Sequence, residues 1–508
     1  MMTNEGQVEH FGIDFGTTNI AVGGLIVDKD RKTALRGIYG EDDVPFPSVV
    51  AMKYDFNTRR IVVEQGRKVK TQISALQDDG YSVFKSVKTN LGNANVKYEI
   101  GPETLTPTNV VSAMVGAIKK YLLNQTGRKI SISNATVAVP VDFSNKQREE
   151  LCKAFDSAGI KVNKIISESM AAYIRNRDAV SALSNVMVFD WGGGTLDISL
   201  LKVEKGKAYE EATMGWKVAG DKIDEIIAEF VHNQLVKNYN LTTAFKDLTA
   251  REKTKILTAC ENAKINFSDE DEIDEAFKIT LIDYCGEKKV SYALNYEDFK
   301  TKIKRVVSGA VGMIDQTLHK ANMDVIDLNA IIMVGGSSNL LPLRQEIISA
   351  YEKNHNIKIV YPDKPQWSVA EGAAVIDSVD CQYEINQDIS IVMSDGSSYP
   401  IIPRGSQIPF RGESVVFGTV DNATSANFII ADEKGNILDR LTMPAKGFLG
   451  EYFEVSGKIG NNLVALVSIV GNKMMTKVGE KQTEINQLSY YCDISEIEDY
   501  KFEIKEKR

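Results

Sequence analysis

Two stretches of this chain follow one plan, and together they restrict its fold more than any other feature. In IDFGTTNIAVGGLIV (13–27) and VFDWGGGTLDISLLKV (188–203) an apolar strand ends in an aspartate, Asp14 or Asp190, turns through glycine and threonine, and returns as a second apolar strand. Glycine lets the backbone approach a ligand closely and adopt φ values that other residues avoid, while amide N–H groups and threonine hydroxyls supply donors for phosphate oxygens. Two such hairpins, far apart in one chain, imply two related lobes facing each other across a phosphate-bearing ligand.

A chain of 508 residues exceeds one ordinary core, so two or more units are expected. Its 43% hydrophobic and 25% charged residues exclude a disordered or collagen-like chain. No run approaches the roughly 20 apolar residues of a membrane helix, and the start, MMTNEGQVEH, lacks the basic patch and apolar stretch of a secretory signal. The expected location is cytoplasmic. A net charge of -9 argues against sequence-independent nucleic-acid binding, which needs a basic stripe. The five cysteines are scattered without a CxxC pair, and the four histidines stand apart, so neither a disulfide framework nor a zinc or histidine-based site is suggested.

From Gln7 to about residue 380, apolar runs alternate with amphipathic ones, the pattern of an α/β protein. Strands are predicted at 10–14, 135–139, 186–190 and 330–334. Helices are predicted at 108–123, 145–157, 169–177, 220–238, 250–266, 296–319 and 342–351. After Cys381, short alternating runs (389–393, 414–417, 427–430, 463–469) are separated by the turn signals SDGSS, PRG, EKGN and VGNK, which predicts a compact antiparallel β domain. The closing DISEIEDYKFEIKEKR reads as a last strand or a charged tail.

Three segments carry the chemistry: DFGTTN (14–19), DWGGGTLD (190–197) and VGGSSN (334–339). Gly16, Gly192, Gly193 and Gly194 admit phosphates close to the backbone, and the threonines donate hydrogen bonds to them. Asp14 and Asp190 are candidates to hold Mg²⁺, mainly through water, since that ion prefers few carboxylates plus phosphate and water oxygens. Gly335 and Gly336 follow the apolar run AIIMV and offer bare backbone to an adenosine. Each turn alone is commonplace. All three in this order, with aspartates at equivalent strand ends, indicate a nucleotide site.

Together with FKSVKTNLG around Lys88, VAVPVDFSNKQRE (137–149), IISESMAA (165–172), TACENAKINFS (258–268) and EGAAV (371–375), these segments resemble the DnaK-type seventy-kilodalton heat-shock chaperones over residues 8–380. The resemblance implies an α/β fold, a two-lobed actin-like ATPase domain with duplicated ribonuclease-H-like lobes (1–380), then a linker (381–388) and a small antiparallel β domain (389–508) that binds substrate. It implies slow, switch-type hydrolysis of ATP, with ATP or ADP and Mg²⁺ bound and K⁺ as an accompanying ion. Lys88, four residues before Gly92, takes the place of the family's catalytic lysine in preference to Lys85. Asp14, Glu168, Asp190 and Asp197 resemble the acidic set around metal and water. Thr17, Thr18, Asn19 and Thr195 resemble the phosphate-facing group, with Gly220 and Ser337 beside it. Glu261, Lys264 and Ser268 match ribose and base contacts, while Pro140 and Arg148 resemble the pair that relays nucleotide state to the substrate domain.

Several positions depart from the family. Ser169 stands where it has proline, and Ile265 and Asn339 stand where two arginines grip the base, which predicts weaker adenine-nucleotide binding and laxer base choice. The linker CQYEINQD interleaves charge and amides instead of being strongly apolar. The chain stops at Arg508, so the helical lid is expected to be absent and peptide exchange fast. Expected partners are unfolded or extended polypeptide, a J-domain co-chaperone and a nucleotide-exchange factor, with no nucleic acid and no membrane. Two other classes remain: a regulatory protein whose β domain docks one dedicated partner, and a sugar kinase, which shares a similar first loop but not VPVDFSNKQRE or the β-rich end.

Overall fold

The computed structural model describes residues 7–27, 33–38, 44–124, 130–268, 276–379, 383–420, 422–447, 451–473, 476–486 and 488–494. Each glycine-hinged hairpin organises a sheet, and the two sheets share one plan. In the first lobe Gln7–Phe15 runs antiparallel to Asn19–Val27 and parallel to Asn134–Val139, which pairs in turn with Lys161–Ser167. In the second, Asn185–Trp191 runs antiparallel to Leu196–Glu204 and parallel to Ala330–Val334, which pairs with Lys358–Val360. A third antiparallel strand extends each hairpin, Thr33–Ile38 in one and Lys207–Trp216 in the other. Asp14 and Asp190 therefore occupy the same place in two copies of one fold, at the exit of the hairpin's first strand. Ala330–Val334 is buried throughout, as a strand covered on both faces should be.

Six of the seven predicted helices form within a residue of their expected ends, while Arg67–Thr71, Ile73–Asp78 and Ser368–Ser378 form where none was predicted. Asn145–Ser157 opens on a capping box, Ser144 with Gln147, and Ala250–Asn266 on another, Thr249 with Glu252. The helix expected at 342–351 instead ends at Ile347 and continues as the π-helical turn Ile348–Glu352.

The helix Ser368–Ser378, which contains EGAAV, is buried over 368–376 and touches both strands of the first hairpin. A Cβ on Gly12 would lie 2.1 Å from the Ala370 carbonyl oxygen, and one on Gly23, its register partner, 2.5 Å from the same atom. A Cβ on Gly372 would lie 1.8 Å from the carbonyl of Ala171, in the helix Glu168–Asn176. Small residues on every side let this helix backbone wedge directly against a sheet and another helix.

The expected β domain comprises two antiparallel sheets. One orders Ser398–Ile402, Ile389–Val392, Ser425–Ala431 and Ile437–Pro444; the other orders Phe410–Arg411, Tyr452–Ile459, Ala465–Lys473 and Thr476–Ile485, with Val415–Gly418 also on Tyr452–Ile459. Two short strands connect this region to the second lobe. Lys207–Trp216 pairs with Tyr490–Asp493, which pairs with Tyr383–Ile385, which pairs with Gln407–Ile408. The polar linker sequence suits this role: Tyr383 and Ile385 are buried while Glu384 between them meets Lys207 at 2.5 Å, the alternation of a half-covered strand. Residues 381–382 and the charged tail beyond Ile494 lie outside the described residues.

One apolar cluster runs from Leu25, Ala138 and Ile166 through Val186, Val334 and Ala373 to Ile389, Val467 and Ile494, so both lobes and the β domain share a core. Among the described residues no helix is long and apolar enough to cross a membrane.

Candidate functional site

The two glycine turns meet face to face. A Cβ on Gly193 would lie 2.7 Å from Thr18 Cγ2, and one on Gly194 3.3 Å from Thr18 Oγ1. Neighbouring loops tie both turns down: Ser48 Oγ donates to the Gly16 carbonyl at 2.7 Å, Ser337 Oγ to that of Gly192 at 2.7 Å, and the Asp221 N–H to that of Gly193 at 2.7 Å. Gly335, at φ 81°, leaves the strand Ala330–Val334 in a conformation that favours glycine, and a Cβ there would lie 2.5 Å from Asp190 Oδ1.

Between the turns lies a cleft of about 550 Å³. Its walls bring together Asp14, Gly16, Thr17, Thr18, Asn19, Lys88, Glu168, Asp190, Gly192, Gly193, Gly194, Thr195, Asp197, Glu261, Lys264, Ser268, Gly335, Gly336 and Ser337, with Pro140, Ile265 and Asn339 beside them. Of the candidates, Gly220 alone is not a lining residue. It packs behind the wall, donating from N–H to the Gly192 carbonyl at 3.2 Å, and a Cβ there would crowd Ser337 Oγ at 2.7 Å; its part is to bring a helix start close.

Lys88 Nζ pairs with Glu168 Oε1 at 2.8 Å, and the lysine is only 4% exposed. Lys85 is exposed and outside the cleft wall. Burial, then the charge of Glu168, raise the Asp14 carboxyl to about 7 against the pull of Lys88. The same two causes lead in holding Asp190 well above the usual carboxylate range and in raising Asp197 to about 6. Among the described residues, Lys88 is the cation that acts on all three of these half-buried carboxylates, which also repel Glu168. Such a set suits a bound cation. Among the described residues no three His, Cys, Asp or Glu side chains are arranged to hold a metal directly, so an ion here would take few carboxylates and complete its shell with water and phosphate oxygens, as Mg²⁺ prefers.

At the other end of the cleft, Glu261 pairs with Lys70 at 2.7 Å, and Lys264 is held by Asp224 at 2.7 Å. Ile265 is 61% exposed on the wall. Asn339 Oδ1 accepts from Arg344 Nη2 at 2.6 Å, and the Arg344 guanidinium lies 4.8 Å over the ring of Tyr361. A guanidinium therefore stands behind position 339 but not among the lining residues. Sequence reasoning missed Lys70, Asp221, Asp224 and Gln366; GRKVKTQ and DKIDE read as ordinary charged segments and acquire meaning only when the lobes face each other.

Beyond Pro140, the helix Asn145–Ser157 reaches the β domain. Arg148 Nη1 donates to the Leu463 carbonyl at 3.2 Å, and Asn145 Nδ2 to that of Ile485 at 2.8 Å.

The sequence profile of the family described as Hsp70 protein matches residues 10–407. Among curated proteins, the chain is similar to the chaperone protein DnaK of Mycoplasmopsis agalactiae, 30% identical over 425 residues that cover 82% of this chain and 67% of that protein. It is 27% identical to the DnaK of Mycoplasmopsis pulmonis over 429 residues (82% of this chain, 68% of that protein), and 26% identical to that of Ureaplasma parvum serovar 3 over 461 residues (88% and 71%).

Proposed function

Because the chain belongs to the Hsp70 family as a DnaK-like member, a family of ATPases and chaperones, we propose that it binds ATP in the interlobe cleft, hydrolyses it slowly, and uses nucleotide state to control how its β domain holds extended polypeptide. The observation that supports this most is the buried Lys88–Glu168 pair beside Asp14, Asp190 and Asp197, between two glycine turns. The hydroxyls of Thr17, Thr18 and Thr195 and the Asn19 amide supply donors for phosphate oxygens. Lys88 and Glu168 orient a water in line with the γ-phosphorus; its attack breaks the bond to the β-bridging oxygen and releases ADP and phosphate. Mg²⁺, held by Asp14 and Asp190 mainly through water, would supply charge neutralisation. Positioning and electrostatics carry such a reaction, with no covalent enzyme intermediate.

Slow turnover suits a switch, because each state must last long enough to act on the β domain. The contacts of Asn145 and Arg148 with the β domain, and the core shared with it, are the physical route for that action. A J-domain co-chaperone and a nucleotide-exchange factor are the partners the family implies. The test is ATP turnover with and without an unfolded polypeptide: stimulation supports the reading, and turnover indifferent to several such polypeptides argues for docking of one dedicated partner instead.

A further inference from the structure

Glu168 is flanked by two serines, and both bond to one carboxylate of the opposite lobe. Ser167 caps the helix Glu168–Asn176, accepting from the Met170 N–H at 3.1 Å. Its hydroxyl also donates to Glu210 Oε1, and Ser169 Oγ donates to the same oxygen at 3.1 Å. Glu210 belongs to the strand Lys207–Trp216 of the second lobe. One oxygen thus grips the chain immediately before and after Glu168, whose own carboxylate is 2.8 Å from Lys88. This grip depends on Ser169, since a residue without a hydroxyl at that position would leave only half of it.

Glu210 is also linked to Arg148, which touches the β domain. The Arg148 charge acts on it, opposing the effect of burial, which raises its pKa. Arg148 bonds to the Leu463 carbonyl and interacts with Tyr490, whose hydroxyl donates to that same carbonyl at 2.9 Å. Arg148 Nε is buried with no hydrogen-bond partner among the described residues. A buried donor left unmade is costly, and charge-assisted bonds are the strong ones. Arg148 therefore has capacity for one further bond, and Glu210 is a nearby carboxylate whose charge it already influences.

We propose that Glu210 is a positioning residue for hydrolysis: it sets Glu168 against Lys88 through Ser167 and Ser169, and through Arg148 it makes that setting respond to the docking of the β domain. With the β domain docked, Leu463 and Tyr490 occupy Arg148 and the serines keep Glu210. When those contacts part, the released guanidinium competes for Glu210, the serines lose their acceptor, and the start of the helix that carries Glu168 loosens. A two-state element biased by both sites is what coupling between them requires.

The inference rests on the proposed hydrolysis by Lys88 and Glu168, so Lys88→Ala is measured in parallel with Glu210→Ala, Glu210→Gln and Ser169→Ala in the full chain. Glu210→Ala should lower kcat about tenfold or more with KM for ATP little changed, because the phosphate contacts remain, and should reduce stimulation by unfolded polypeptide. Glu210→Gln keeps an oxygen acceptor for the serines but offers no charge to Arg148; it should recover most of the kcat loss and not the stimulation. Ser169→Ala, which leaves Glu210 in place and guards against misfolding of the glutamate variants, should give a smaller kcat loss of the same kind. ADP binding by calorimetry confirms that each variant is folded. If Lys88→Ala abolishes turnover while Glu210→Ala and Ser169→Ala match the wild type in kcat and stimulation, the role given to Glu210 is wrong. If Lys88→Ala leaves turnover intact, the reading beneath it fails instead.

Discussion

Lys88 is the residue whose removal tests the cleft most sharply. Its side chain is 4% exposed, its ammonium lies 2.8 Å from Glu168, and it acts against the raised pKa values of Asp14, Asp190 and Asp197. Lys88→Met removes the charge yet keeps an aliphatic stem near Phe143, whose ring centroid is 5.6 Å from Nζ in the native chain. Deleting one member of a buried ion pair costs about 3–5 kcal/mol when its partner stays charged. The Glu168 side chain is 13% exposed, so water reaches the carboxylate left behind and the stability loss should fall below that range. The larger effect is kinetic. A positioned charge that acts where negative charge develops is worth about 10²–10³ in rate, or about 2.7–4 kcal/mol. Single-turnover hydrolysis of γ-labelled ATP should slow by that factor, while ADP, which lacks the γ-phosphate, should bind within about threefold of the wild type by calorimetry. A Lys88→Met protein that hydrolyses ATP within about threefold of the wild-type rate would refute the role given to this lysine.

The carboxylates make nucleotide binding proton-linked. At pH 6.5 a group with its pKa near 7 is ~75% protonated and one near 6 is ~25%, so binding of the Mg²⁺ complex should release about one proton from Asp14 and Asp197 alone, measured by calorimetry in buffers of different ionisation enthalpy. These folded-state pKa values lie above the unfolded ones, so their contribution to the stability of the ligand-free protein is full below pH ~4 and is lost as pH rises through about 6–7; thermal melts with and without Mg²⁺-nucleotide should converge on acidification. Ile265→Arg should tighten ATP binding by about 0.5–2 kcal/mol through a cation–π contact with the base and increase discrimination against GTP; competition titration reads both. Gly12→Ala should cost about 3 kcal/mol, the upper end for overpacking, because its Cβ meets backbone 2.1 Å away that cannot rotate aside; chemical denaturation measures it.

Much of this was readable because the chemistry is local. Asp14 and Asp190 follow apolar strands that period-2 reasoning finds, and their glycine turns announce themselves, so the hairpins could be named from local pattern, while Lys88, Glu168, Asp197, Glu261, Lys264 and Ser268 were named only by resemblance to the family. The capping boxes at Ser144 and Thr249 likewise mark helix starts directly. The helix Ser368–Ser378 was hidden because it is buried on every side, which erases the amphipathic pattern that identifies a helix. Tyr383–Ile385 looked like a linker because its partner strands, Tyr490–Asp493 and Gln407–Ile408, come later in the chain. Glu210 was invisible for the same reason: nothing in AYEEAT indicates that one glutamate faces two serines some forty residues earlier.

The central claim is that the cleft governs the β domain. Its most direct test is the dissociation rate of a fluorescent extended peptide from the full chain, measured with ATP and with ADP. The account predicts release several-fold faster with ATP than with ADP, and loss of that difference in Arg148→Ala, which breaks the contact with Leu463. Equal release rates in the two nucleotides, with both shown to be bound, would contradict it.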